Sequence, residues 1–81
     1  MEPGVLSTPN YQSHWDAGDL GCGELVMDLM LRLRHLKPGE VLRLTASDPG
    51  APADIPAWCR MTDHTLCHVD PPNHDFFIQH K

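Results

Sequence analysis

Between Gly23 and Leu36, Val26, Leu29, Met30, Leu33 and Leu36 recur at three- and four-residue intervals, and Pro38-Gly39 follows at once. That period marks a helix with one apolar face to bury, and the Pro-Gly pair ends it. Glu24 in the first turn and Arg34, His35 and Lys37 in the last complement the helix dipole. Asp28, Arg32 and His35 fall on the opposite side. Met27 and Leu31 lie beside the apolar stripe, where they serve equally well as an exposed patch or as a widened core face. A helix of this length gains its stability from packing, so the flanking segments must supply a surface for it.

Those segments read as strands. Tyr11 to Trp15 alternates, with Tyr11, Ser13 and Trp15 on one face, and Asp16-Ala17-Gly18-Asp19 then turns. Val41 to Ala46 is a second, more apolar strand. Ser47-Asp48-Pro49-Gly50 is turn chemistry, in which an Asp side chain bonds nearby backbone. A second helix begins around Ala53 and runs to about Thr62, with Pro56 tolerated in its first turn and Ile55, Trp58 and Cys59 on its buried face. Thr65 to Val69 and Phe76 to His80 are strands joined by the polar turn Asp70 to Asp75. The order β-α-β-α-β-β predicts a two-layer α/β sandwich: a mixed four-stranded sheet with two helices on one face, closed by a hairpin. Residues 1–10, with Pro3, Gly4, Ser7 and Pro9, read as a flexible N-terminal arm, and residues 11–81 as one domain.

Composition narrows the function. Eleven acidic against six basic side chains give a formal net charge of −5 in 81 residues. That balance disfavours direct nucleic-acid binding, which relies on clustered Lys and Arg, and suits docking on basic proteins. No apolar stretch approaches the roughly 20 residues of a membrane span, and no secretory leader pattern is visible. The expectation is a cytoplasmic monomer with reduced thiols.

Three cysteines without a C-x-x-C pair argue against a disulfide framework and a zinc ribbon. Six histidines are spread over every element without ligand spacing, and no Gly-rich phosphate loop is present, so neither metal nor cofactor is implied. Cys22 stands apart. It sits in Asp19-Leu20-Gly21-Cys22-Gly23-Glu24-Leu25, where a loop runs into a helix. Unpaired N–H groups and the positive dipole end there favour a nucleophilic thiolate. Cys59, beside Trp58 on a core face, and Cys67, within a strand, read as packing residues.

Two stretches resemble the TusA/SirA sulfur-carrier family. Trp15-Asp16-Ala17-Gly18-Asp19-Leu20-Gly21-Cys22 is similar to that family's Asp-Ala…Leu-x-Cys stretch. Asp48-Pro49-Gly50…Asp54-Ile55-Pro56-Ala57-Trp58-Cys59, followed by His64-Thr65-Leu66, is similar to its Asp-Pro-Gly…Asp-Ile-Pro-x-Trp-Cys…Gly-His-x-Leu signature. The chain departs at the cysteine itself: the family's Cys-Pro-x-Pro is here Cys22-Gly23-Glu24-Leu25. Gly23 adds a backbone donor where proline has none, and loosens the helix start.

The resemblance implies a sulfur carrier that takes a persulfide sulfur on Cys22 from a donor protein, a cysteine desulfurase or a rhodanese-like enzyme, and passes it to an acceptor protein. Sulfur relays of this kind include those for transfer-RNA thiolation. Asp16, Leu20, Gly21, Gly23 and Glu24 would present the sulfur and the docking surface. Asp48, Pro49, Gly50, Asp54, Trp58 and His64 are expected to be structural. The alternative is a non-catalytic binding or regulatory module on the same fold, which the loss of both prolines favours.

Overall fold

The computed structural model describes residues 9–81, Cys22 by its backbone alone. The element order is β1 (Ser13–Gly18), α1 (Cys22–Arg34), β2 (Val41–Ala46), α2 (Ala51–Thr62), β3 (Thr65–Asp70), a short 3-10 turn (Pro71–Asn73) and β4 (Asp75–Gln79). The four strands lie in the order β1-β2-β4-β3, with β1 parallel to β2 and the other two pairings antiparallel. This is the expected sandwich, closed by the β3–β4 hairpin. Most of the expected N-terminal arm lies outside the described residues.

Strand alternation divides the sheet into two faces. Trp15, Ala17, Leu42, Leu44, Ala46, Phe76 and Ile78 face the helices and join Leu25, Leu29 and Leu33 of α1 and Ala51, Ile55 and Cys59 of α2 in one core. Leu20, Leu36, Trp58 and Leu66 pack half-buried around it.

Helix α1 is rotated from the expected orientation. Its buried seam is Leu25, Leu29 and Leu33 at four-residue spacing, whereas Met30, assigned to the core on periodicity, is 43% exposed. At 100° per residue, choosing Leu25 over Met30 swings the solvent face onto Met27, Met30 and Leu31, all exposed. Asp28 is consequently half-buried, and the Arg32 guanidinium lies 4.3 Å from the Trp15 ring centroid. Neither is on the far side, as periodicity suggested.

Element bounds also differ from expectation: α1 ends at Arg34 and β3 runs on to Asp70. Strand β1 starts at Ser13 and continues through Gly18, with a bulge at Ala17 that adds this residue to the core. Tyr11 precedes the strand and crosses to the other face of the sheet, 6.0 Å from Phe77 between ring centroids. Helix α2 begins at Ala51, so Pro56 is its sixth residue and lies in the second turn. Its missing N–H leaves the Pro52 carbonyl without its intrahelical donor, yet the helix runs on to Thr62. Asp75 opens strand β4 instead of closing the turn.

Candidate functional site

The parallel β1–β2 pair brings both helix N-termini to one end of the sheet, because each helix follows the C-terminal end of one of these strands. Cys22 is the first residue of α1, with Gly21 as its N-cap. The Leu25 N–H donates to the Gly21 carbonyl at 2.8 Å. The N–H groups at the very start of a helix have no carbonyl within it to bond, and a glycine cap has no side chain to take them up. That leaves backbone donors and the positive dipole end around residue 22.

The approach to Cys22 is fixed by a chain of short polar contacts. Gly18 sits at φ 60°, a left-handed conformation that side chains disfavour. Its N–H donates to Asp16 Oδ1 at 2.9 Å, closing a tight turn. The Gly18 carbonyl accepts from the Ser47 N–H at 2.8 Å and from the Ser47 hydroxyl at 3.0 Å. Leu20 N–H reaches the Ala17 carbonyl at 3.3 Å, while the Leu20 side chain is half-buried against the core. Asp16 therefore shapes the β1–α1 loop, and Ser47 ties that loop to the one before α2.

The second loop is organised by Asp48 and Asp54. Asp48 Oδ2 accepts from the Gly50 N–H at 2.9 Å, and the Asp48 carbonyl accepts from Ala51 at 3.0 Å. A Cβ on Gly50 would meet Asp54 Oδ2 at 2.9 Å and Asp48 Oδ2 at 3.0 Å, so close approach of two carboxylates accounts for this glycine. Pro49 completes the turn. At the far end of α2, Trp58 stacks on His64 with centroids 5.4 Å apart, and His64 Nδ1 accepts from the Lys81 N–H at 3.1 Å. That bond requires a neutral ring. Burial, then the neighbouring His80 and Lys81, hold the His64 pKa below its ordinary value.

The structure thus gathers Asp16, Leu20, Gly21, Gly23, Glu24, Asp48, Pro49, Gly50 and Asp54 around the end of the sheet where Cys22 begins α1. Trp58 and His64 sit at the opposite end. Cys59 is 2% exposed, and burial pushes its thiol up to about 11, with nearby Cys67 adding to the effect. Such a thiol is protonated and unreactive at neutral pH. Cys67 occupies the bulge of β3 and is exposed.

Sequence reasoning overlooked one polar cluster. On the sheet face away from the helices, Asp75 is 2% exposed and accepts from Arg43 Nε at 3.0 Å, with Arg43 Nη2 at 2.9 Å. Thr45 donates its hydroxyl to Asp75, and His14 Nε2 lies 2.9 Å from that hydroxyl oxygen. Arg43 Nη1 also donates to the Tyr11 hydroxyl at 3.1 Å. Both oxygens of the buried carboxylate are bonded, so the cluster ties strands β1, β2 and β4 together. The one available signal was strand parity, which puts Arg43 and Thr45 opposite the apolar Leu42 and Leu44.

Among the described residues, no group of three or more His, Cys, Asp or Glu side chains is placed to hold a metal ion. No described helix is long and apolar enough to cross a membrane. What remains is a small α/β sandwich with a cysteine as the first residue of a helix. A family model described as sulfurtransferase TusA matches residues 15–80, and the chain belongs to that family.

Proposed function

We propose that the protein is a sulfur carrier in which Cys22 bears the transferred sulfur. The single observation that carries the reading is the position of Cys22 as the first residue of α1, capped by a glycine, in a chain of the TusA family. The thiolate of Cys22 attacks the terminal sulfur of a donor persulfide. A new S–S bond forms at Cys22, the donor's S–S bond breaks, and the donor cysteine leaves as thiolate. In the second step an acceptor thiolate attacks the outer sulfur of the Cys22 persulfide, and Cys22 leaves as thiolate. No net oxidation accompanies either exchange, so no external oxidant is needed.

The surroundings support exchange between proteins. Thiol–persulfide exchange of this kind requires no general base, metal or oxyanion hole. Met27, Met30 and Leu31 give α1 an exposed apolar strip leading away from Cys22, suited to donor and acceptor surfaces. Asp16, Leu20 and Gly21 hold the loop that presents the sulfur, while Gly23 and Glu24 supply the first helical donors. A cytoplasmic monomer serving a relay such as transfer-RNA thiolation fits this chemistry, with protein partners and no direct nucleic-acid contact. In the same reading, residues 11–81 form the working domain.

The test is to incubate the protein with a cysteine desulfurase or rhodanese-type donor and its sulfur source, then measure intact mass. One added sulfur atom on the wild type, lost in Cys22→Ser and retained in Cys59→Ser, is the expected result. Absence of the modification under conditions that load an active carrier would refute the carrier and favour a binding module.

A further inference from the structure

Beside the Cys22 loop, the same end of the sheet holds an apolar cleft of about 270 Å³. It lies between the loop before α2 and the ends of β3 and β4, against Ala46, Pro49, Pro52, Val69, Pro71 and Phe76. That volume falls below the roughly 300–1,000 Å³ of pockets that enclose whole small molecules, but accommodates one aliphatic or aromatic side chain. Ser47, on its wall, is the residue bonded to Gly18 in the Cys22 loop. With strands about 4.8 Å apart, the cleft under β2 and β4 lies on the order of 10 Å from the end of β1.

Charge says what kind of segment approaches. The ends of β1, β2 and β3 and the starts of both helices all point one way, and there stand Asp16, Asp19, Glu24, Asp48, Asp54 and Asp70. Five of the six Lys and Arg residues (Arg32, Arg34, Lys37, Arg60, Lys81) lie in the later turns of the helices or in segments at the opposite end. The sixth, Arg43, is bound to Asp75. An apolar cleft at this acidic end of the sheet, with Asp48 on its wall, disfavours acidic surfaces and attracts basic ones, and it does so next to the position a sulfur-exchanging protein must reach.

We infer that this cleft is a docking subsite for a loop of the sulfur-exchanging partner, a loop carrying one aliphatic side chain flanked by cationic residues. The identity of the partner as a sulfur-exchanging protein rests on the carrier reading; the chemistry of the subsite does not. Seating the aliphatic side chain between Pro52 and Val69 leaves the flanking cations to meet Asp48, on the cleft wall, and Asp54, whose carboxylate converges with that of Asp48 on Gly50.

The subsite is tested by amide chemical-shift titration of the full chain with three capped tripeptides, Arg-Leu-Arg, Arg-Gly-Arg and Glu-Leu-Glu. Arg-Leu-Arg should produce saturable shifts centred on Ala46, Val69, His74 and Phe76. The other two should bind at least fivefold more weakly, and binding should weaken as salt rises. Val69→Trp, which fills the cleft from the edge strand, should abolish the saturable shifts, while Met61→Lys at the opposite end should leave them intact. Shifts that are absent, that are equal for Glu-Leu-Glu, or that centre on Met27 and Leu31 overturn the proposal. The wild-type comparison of the three peptides stands even if Val69→Trp fails to fold. The titration is repeated on Cys22→Ser and involves no sulfur transfer, so its outcome is independent of the persulfide mass test.

Discussion

Leu25 and Met30 sit on the same helix, and truncating each to alanine should have sharply different costs. Leu25 is completely buried at the head of the α1 seam. Leu25→Ala removes three carbons worth about 0.8 kcal/mol each, and partial collapse of the space left adds a cavity cost, for a total of about 3 kcal/mol. Met30 is already 43% exposed. Its truncation leaves no closed cavity and gains slightly in helix propensity, so the net loss should stay below about 1 kcal/mol. A domain of this size holds only about 4–12 kcal/mol in total. With a urea dependence of about 1 kcal/mol per molar, Leu25→Ala should lower the unfolding midpoint by about 3 M and Met30→Ala by less than about 1 M. Urea unfolding followed by tryptophan fluorescence measures both. Equal losses, or a larger one at Met30, would show that α1 buries the face its periodicity suggests and would refute the rotated orientation. The comparison also bears on docking, since a Met30→Ala protein of native stability reports partner binding free of folding effects.

Gly18→Ala places a side chain at φ 60° with nothing within 4 Å of its Cβ, so the cost is purely conformational; thermal melts should show a loss of about 1 kcal/mol, smaller for Gly18→Asn. With its thiol pushed up to about 11, Cys59 should have a thiolate fraction roughly 300-fold below that of a thiol of pKa about 8.5. Peptide mapping after brief iodoacetamide treatment at pH 7.5 should therefore find Cys59 unmodified in folded protein, and rapid labelling there would contradict its burial. His64 has a depressed pKa in the fold, so its stabilising contribution is present above the unfolded value near 6.5 and is lost as pH falls through the folded value. The thermal midpoint should drop more steeply between pH 7 and 5 in the wild type than in His64→Gln, and parallel profiles would exclude the mechanism.

Element order and sheet composition were legible because the periods differ so plainly, helical from Gly23 to Leu36 and strand-like from Val41 to Ala46. The orientation of α1 was not, because Val26 and Met30 are as apolar as Leu25 and only packing against Leu42, Leu44 and Ile78 chooses between them. The loop residues near Cys22 were legible as a group through turn chemistry and family resemblance. Their mutual bonds were hidden, since Gly18 and Ser47 are far apart in sequence and meet only when β1 pairs with β2. Asp75 looked like one more polar turn residue. Its burial depends on Arg43 and Thr45 arriving from another strand, information that no local window contains.

The two bonds from Ser47 to the Gly18 carbonyl bear on how the protein opens. Amide exchange proceeds through cooperative units defined by shared contacts, and here the residue just after β2 is bonded to the last residue of β1. The Ser47 amide is sequestered by the very loop that leads to Cys22, so its protection measures the closure of both loops together. A ligand pressing on the Asp48–Gly50 turn would slow exchange at Ser47, and the same event would restrain the backbone that carries the cysteine.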